Sequence, residues 1–172
     1  MVRTALIAAL CVGGLPIFAG TAKTSMSDST FVRKAAQANY DEVQLGKLAQ
    51  DKGTNPAVKD FGGRMVKDHT KANDNLKPIA DKDNITMPSN MDTKDQALYN
   101  RLSKLSGSQF DREYMRSMVK DHQSDVAEFQ RESQRAKNAD VRSYASNTLP
   151  TLQEHLRLAE DTNTKLGASA TK

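Results

Sequence analysis

Apolar residues recur every three or four positions along most of the chain, and no stretch alternates with the period of two that a strand requires. Four long amphipathic segments follow. The first is capped by Ser29 or Thr30 and runs to about Gln50, with the seam Phe31, Ala35, Ala38, Glu42, Leu45 and Ala49. Gly53 stops it. Asn55 and Pro56 provide the cap and first-turn proline of the second, whose seam is Val58, Phe61, Met65, His69, Ala72, Leu76 and Ile79. Pro78 is expected to close or kink it. The third long segment opens on a capping box, Ser108 with Asp111, and runs to about Ala136 with Met115, Met118, His122, Val126 and Phe129 inward. The fourth follows a cap at Asn138, with the seam Val141, Ala145, Thr148, Leu152, His155, Ala159, Thr162 and Leu166, and Pro150 bends it one turn before His155. Residues 93–105 form a shorter helix carrying Leu98, Leu102 and Leu105.

The connection from the second long helix to the third, residues 80–108, is too long for a tight turn. A 25-residue helix is about 37 Å long, and twenty-odd residues can run back along it. The pattern therefore predicts an all-α, ferritin-like four-helix bundle over 29–166, with an extra short helix in the helix 2–3 crossover.

Each seam carries one polar group: Glu42, His69, His122 and His155. The chain has 3 histidines, and all occupy inward positions. Two sit in a literal repeat, Met-Val-Lys-Asp-His at 65–69 and at 118–122, and the third follows an acid, Glu154. Residues of a helical hairpin share a height when their midpoint falls in the turn. The midpoint of Glu42 and His69 falls in the 53–56 turn, and that of His122 and His155 in the 137–139 turn. Four buried polar groups at one height need a shared partner. A single transition-metal ion (iron, zinc or copper) held by Glu42, His69, His122 and His155 meets that need. A metal-free, proton-sharing cluster is the alternative. Met65 and Met118 stand one turn before their histidines, where a thioether can serve copper(I), although core filling is the ordinary role of methionine. Asp68, Asp121 and Glu154 are turned about 100° from the histidines they precede, so they read as flank residues or as partners to a histidine on a neighbouring helix.

The N-terminus departs from this pattern. Arg3, an apolar run over 5–18, and small residues at Gly20 and Ala22 read as a secretory signal peptide over 1–22, too short for a confident membrane span. The single cysteine, Cys11, lies inside it and follows Leu10 rather than the small residue a lipoprotein signal requires. The mature chain then has no disulfide and no transmembrane segment, and its expected location is periplasmic or secreted. The tail, 167–172, is small and polar and expected to be disordered. The net charge is +4 with both signs interspersed, and no basic stripe interleaves with aromatics, which argues against nucleic acid. No nucleophile elbow, phosphate loop or dinucleotide fingerprint occurs.

Several short stretches together carry a resemblance: residues 31–36, 42–48 and 55–58, the 65–69 motif, Phe110-Asp111 with Tyr114-Met115, Asp121-His122, and residues 149–152 with His155. In these the chain resembles an exported bacterial ferritin-like family, domain of unknown function 4142, often labelled as an outer-membrane protein. The resemblance implies a ferritin-like fold and export, and it implies no activity. An all-helical bundle does not fit a spanning barrel, which needs alternating strands. The di-iron class of ferritin-like bundles pairs Glu with His three residues on. Here Val66 and Leu152 occupy those places, which speaks against a di-iron centre. The expected function is metal binding in storage, sensing or stress response. A metal-free module presenting a face to an envelope protein partner, with the 93–105 helix as its surface, and a mononuclear redox enzyme at the same site are the alternatives.

Overall fold

The computed structural model describes residues 26–169, which form five helices: α1 (Met26–Lys52), α2 (Pro56–Lys82), α3 (Thr93–Leu102), α4 (Gly107–Arg135) and α5 (Ala139–Ser169). Among the described residues there is no strand. The signal-peptide segment, 1–22, lies outside them, as do 170–172. No helix among the described residues is long and apolar enough to cross a membrane.

Several boundaries differ from expectation for physical reasons. α1 begins before Ser29, because Asp28 is buried and tied to another turn of the bundle. Pro78 does not end α2: Leu76 and Ala80 are both buried, and their packing outweighs one lost backbone bond. α3 stops at Leu102, where the Ser103 hydroxyl donates to the carbonyl of Tyr99. Ser106 rather than Ser108 takes the N-cap position of α4, without a side-chain capping bond, and Gly107 follows at φ 56°, a left-handed value that glycine tolerates. Asp111 forms no capping box. α5 continues through Gly167 to Ser169, so the first part of the expected tail is helical.

Two buried aspartates show how the hairpins are oriented. Asp111, just past the first turn of α4, accepts from the backbone N–H of Thr54 and Asn55 and from the Thr54 hydroxyl, in the turn between α1 and α2. Asp28, in the first turn of α1, accepts from the backbone N–H of Lys137 and Asn138, in the turn between α4 and α5. Each hairpin's turn is thus pinned by the start of the other hairpin. α2 and α4 begin at the same end of the bundle, and residues 83–106 return along its length, as the crossover topology requires. Tyr40 and Gln37 bind the carbonyls of Ser89 and Asn90, fixing this return segment on α1. α1 and α2 approach closely at Gly46 and Gly62, where a Cβ on either residue would sit 2.7 Å from the other's carbonyl oxygen.

The core divides into two apolar clusters. One contains Leu45, Phe61, Met65, Tyr114, Met118 and Ala159, and the other Phe31, Ala36, Leu76, Phe129, Tyr144 and Leu152. On every long helix, a buried polar residue falls between the two clusters: Asn39, Asp41 and Glu42 on α1, His69 on α2, His122 on α4 and His155 on α5. A polar layer crosses an apolar bundle at mid-height.

Candidate metal centre

His69, His122 and His155 converge from three helices, with exposures of 2%, 0% and 0%. Their ring centroids are 5.8, 5.3 and 5.4 Å apart. One ring nitrogen from each lies within 4.8 Å of the other two. A tetrahedral ion with bonds near 2.1 Å would bring such nitrogens to about 3.4 Å, within reach of small ring rotations.

The other nitrogen of each ring is held. His122 Nδ1 lies 3.0 Å from the Met118 carbonyl one turn back, an acceptor only, so Nδ1 carries the proton. His155 Nε2 lies 3.0 Å from Asp68 Oδ2 on α2, so Nε2 carries it. His69 Nδ1 lies 2.9 Å from Asn39 Oδ1. The Asn39 amide is itself oriented, since its Nδ2 donates to Asn73 Oδ1 and to the Tyr144 hydroxyl, so His69 Nδ1 donates. What remains is His69 Nε2, His122 Nε2 and His155 Nδ1, and these three nitrogens have no hydrogen-bond partner. Three buried lone pairs face a common space.

Burial keeps all three rings neutral. It pushes His69 well below the usual imidazole range, with further lowering from His122 and His155. It takes His122 down to about 3. It lowers His155 as well, against the upward pull of Asp68. Neutral imidazole is the form that binds metal. Phe61 presents its ring to both His122 and His155, at centroid distances of 6.2 and 6.5 Å, and forms an apolar wall. Asp68 is the way out: 24% of its side chain is exposed, and it lines a groove of about 860 Å³ between α2 and α5, bordered also by Arg64, Lys71 and Glu154.

Glu42 stands apart from the expected arrangement. It is 4% exposed, but its carboxylate is not within the mutual reach of the three histidine nitrogens. It lines a separate small cavity with Asp41, Asp95, Asp121 and Asp125, on the side of the bundle where α3 crosses α1 and α4. Burial, with the charges of Asp125, Asp121, Asp95 and Asp41, holds its carboxyl well above the usual range. α1 reaches the histidines through Asn39, one turn before Glu42. The seam assignment passed over Asn39 because its amide does not stand out among polar residues. Its place four residues after the buried Ala35 was the available signal. Asp68 is a histidine partner across helices, the role allowed for the acids that precede histidines. Asp121 instead pairs with Lys94 at 3.0 Å. Met65 and Met118 are fully buried in the apolar cluster beside the site.

Residues 15–162 match the sequence profile of the Domain of unknown function (DUF4142). The chain belongs to the DUF4142 family. No curated protein matches it. Among solved structures, this DUF4142 protein is similar to a DUF305 fragment from Deinococcus radiodurans, with TM-score 0.73, 15% identity and coverage of 83% of this chain and 99% of that one. It is also similar to a DUF305 protein from Streptomyces coelicolor, provisionally assigned as secreted, with TM-score 0.70, 16% identity and coverage of 82% and 94%. A third similar structure is CopM in its Cu(II)-bound form, with TM-score 0.64, 15% identity and coverage of 80% and 96%. At these identities the likeness shows the helical-bundle fold alone.

Proposed function

We propose that this DUF4142 protein is an exported bundle that binds one transition-metal ion through His69 Nε2, His122 Nε2 and His155 Nδ1, in metal storage, sensing or stress handling. One observation carries the reading: each histidine has one nitrogen held as a donor and the other buried without a partner, in three rings that bring a nitrogen apiece within 4.8 Å of one another. A lone core histidine satisfies both nitrogens or faces water. Three that leave the same kind of atom unsatisfied at one place are arranged for a shared cation, since each unmet buried group costs about 1–3 kcal/mol.

Three neutral imidazoles suit copper, zinc, iron or nickel, and they leave at least one position for water or another ligand. The copper carried by CopM, a bundle of similar fold, supports copper as the first ion to test. Glu42 is outside this ligand set. The 1–22 segment, with its charged start, apolar run and small residues, supports export.

The test is a competition titration of mature protein with Cu(II) and Zn(II) against a chelator of known affinity, followed by electron paramagnetic resonance of the copper form. The reading expects one equivalent bound, nitrogen hyperfine structure from imidazole, and loss of that equivalent in each of His69→Ala, His122→Ala and His155→Ala. Retention of the same equivalent in all three variants would overturn it.

A further inference from the structure

The small cavity where α3 crosses α1 and α4 is lined mainly by carboxyl groups. Asp41 and Glu42 come from α1, Asp95 from the first turn of α3, and Asp121 and Asp125 from α4, around about 110 Å³. Five carboxyl groups meet one cation, Lys94. Its ammonium lies 3.0 Å from Asp121 and 3.8 Å from Asp95, with its side chain 69% exposed.

Acidic clusters on surfaces are common and signify little. The Glu42 side chain makes this one different. It is 96% removed from solvent (4% exposed), its Oε2 has no hydrogen-bond partner, and it lines the cavity. Asp95 Oδ1 is also buried, and the Lys94 ammonium lies 3.8 Å from it, beyond hydrogen-bond distance. Oxygens of Asp41, Asp92 and Asp95 also come within 4.8 Å of one another. Both Asp41 oxygens are oriented by the Gln37 amide, and Oδ1 also accepts from the Asp92 backbone N–H. Residues from three helices, distant in sequence, thus line one small cavity with carboxyl groups, and the buried Glu42 Oε2 among them has no hydrogen-bond partner.

We infer that this cavity is a second cation site, distinct from the histidine centre, which takes a hard divalent ion such as Ca²⁺ or Mn²⁺ through Asp41 and Asp95, whose oxygens already lie with that of Asp92 within 4.8 Å of one another, with Glu42 and Asp121 or Asp125 moving in from the cavity wall to complete the oxygen set. No histidine, cysteine or methionine lines it, and carboxylate oxygens select hard ions over the softer ones that imidazole prefers. Without the ion, burial first and neighbouring carboxylates second raise these groups, Asp41 to about 6 and Asp125 to about 7. Binding releases Lys94 from Asp121 and Asp95. The ion also clamps α3 onto the α1–α4 face, which ties the crossover to the bundle.

The experiment uses the mature protein, freed of metal by chelator, titrated with Ca²⁺ by calorimetry and with Mn²⁺ by electron paramagnetic resonance at neutral pH. One equivalent of Mn²⁺ and a rise of the thermal midpoint with Ca²⁺ are expected. Glu42→Gln and Asp95→Asn, which keep side-chain volume, are expected to weaken binding by about tenfold or more while circular dichroism shows the fold retained. Lys94→Gln is expected to tighten it, because a competing charge is gone. His69→Ala is expected to leave it unchanged, and Glu42→Gln to leave copper binding unchanged, which separates the two sites. No response to either ion at millimolar concentration, or equal affinity in Glu42→Gln and the unaltered protein, would overturn the inference and leave a protonated acidic cluster.

Discussion

His155 Nε2 lies 3.0 Å from Asp68 Oδ2, and this bond turns His155 around relative to its two neighbours: it offers Nδ1 to the centre, where His69 and His122 offer Nε2. A carboxylate behind an imidazole fixes the tautomer and raises the ring's basicity as a ligand. Asp68→Ala is therefore expected to lower metal affinity by about ten- to a hundredfold. The fold should survive, since the Asp68 side chain is 24% exposed and borders the open groove. Competition titration beside a denaturation curve checks both. An unchanged affinity would show that His155 needs no orienting partner.

Asn39 has the same role toward His69, inside the core. Its amide joins His69 Nδ1, Asn73 Oδ1 and the Tyr144 hydroxyl, so one side chain organises α1, α2 and α5. Asn39→Leu keeps roughly the volume and removes every bond. The buried His69 N–H and Tyr144 hydroxyl lose a partner, and a stability loss of about 3 kcal/mol is expected in denaturant unfolding. Asn39→Asp should behave differently: a carboxylate there still accepts from His69 but cannot donate to Tyr144 or Asn73. Metal binding should persist in Asn39→Asp and fall in Asn39→Leu. Equal metal affinity in the two variants would count against an orienting role.

The helices, the crossover and the convergence of the histidines were legible because each rests on a periodic signal. Histidine at a seam position is unusual, and the hairpin-midpoint argument needs only turn positions, which Gly53, Asn55-Pro56 and Asn138 mark clearly. Glu42 satisfied the same arithmetic and still faces elsewhere. Height along a helix is set by residue number, but the direction of a long side chain depends on what covers each side, and α3 with its acids creates a second polar pocket there. That pocket is assembled from residues 41, 95 and 121–125, across the crossover, where no local pattern reveals the pairing. The capping box failed for a related reason. Asp111 is engaged by a turn more than fifty residues away, and a long-range bond with three donors outweighs a local one.

The His122 ring is held neutral to about pH 3 by burial first and by the nearby His155 second. Its folded pKa lies below the unfolded value of 6.5, so the unfolded chain takes up the proton first as pH falls. This contribution to stability is intact above 6.5 and is lost on acidification toward 3. The raised carboxyls Asp41 and Asp125 act in the opposite sense, because the folded state keeps their protons and gains stability as pH falls from about 7. The histidine effect is therefore isolated by difference. Metal-free protein is expected to lose about 2 kcal/mol relative to His122→Leu between pH 6.5 and about 5. A parallel pair of stability curves across that interval would contradict a neutral buried ring.

The close approach of Gly46 and Gly62 sets how near α1 lies to α2, and hence the 2.9 Å bond between Asn39 and His69 two turns away. A Cβ on Gly46 would meet the Gly62 carbonyl at 2.7 Å and the Met65 Cβ at 3.1 Å. Backbone cannot rotate aside as a side chain can, so the helices must separate. Gly46→Ala is expected to destabilise the bundle by about 1–3 kcal/mol, despite alanine's higher helix propensity. It should also weaken metal binding, because Met65 precedes His69 by one turn and moves with it. Gly63→Ala is the control. A Cβ there meets the end of the Gln50 side chain at 3.1 Å, which can swing away into solvent, so stability should hold or rise slightly. Denaturation and copper titration of the two variants side by side separate crowding at the helix contact from a general effect of replacing helical glycine. Should Gly46→Ala match Gly63→Ala in both measurements, the spacing of α1 and α2 does not control the site.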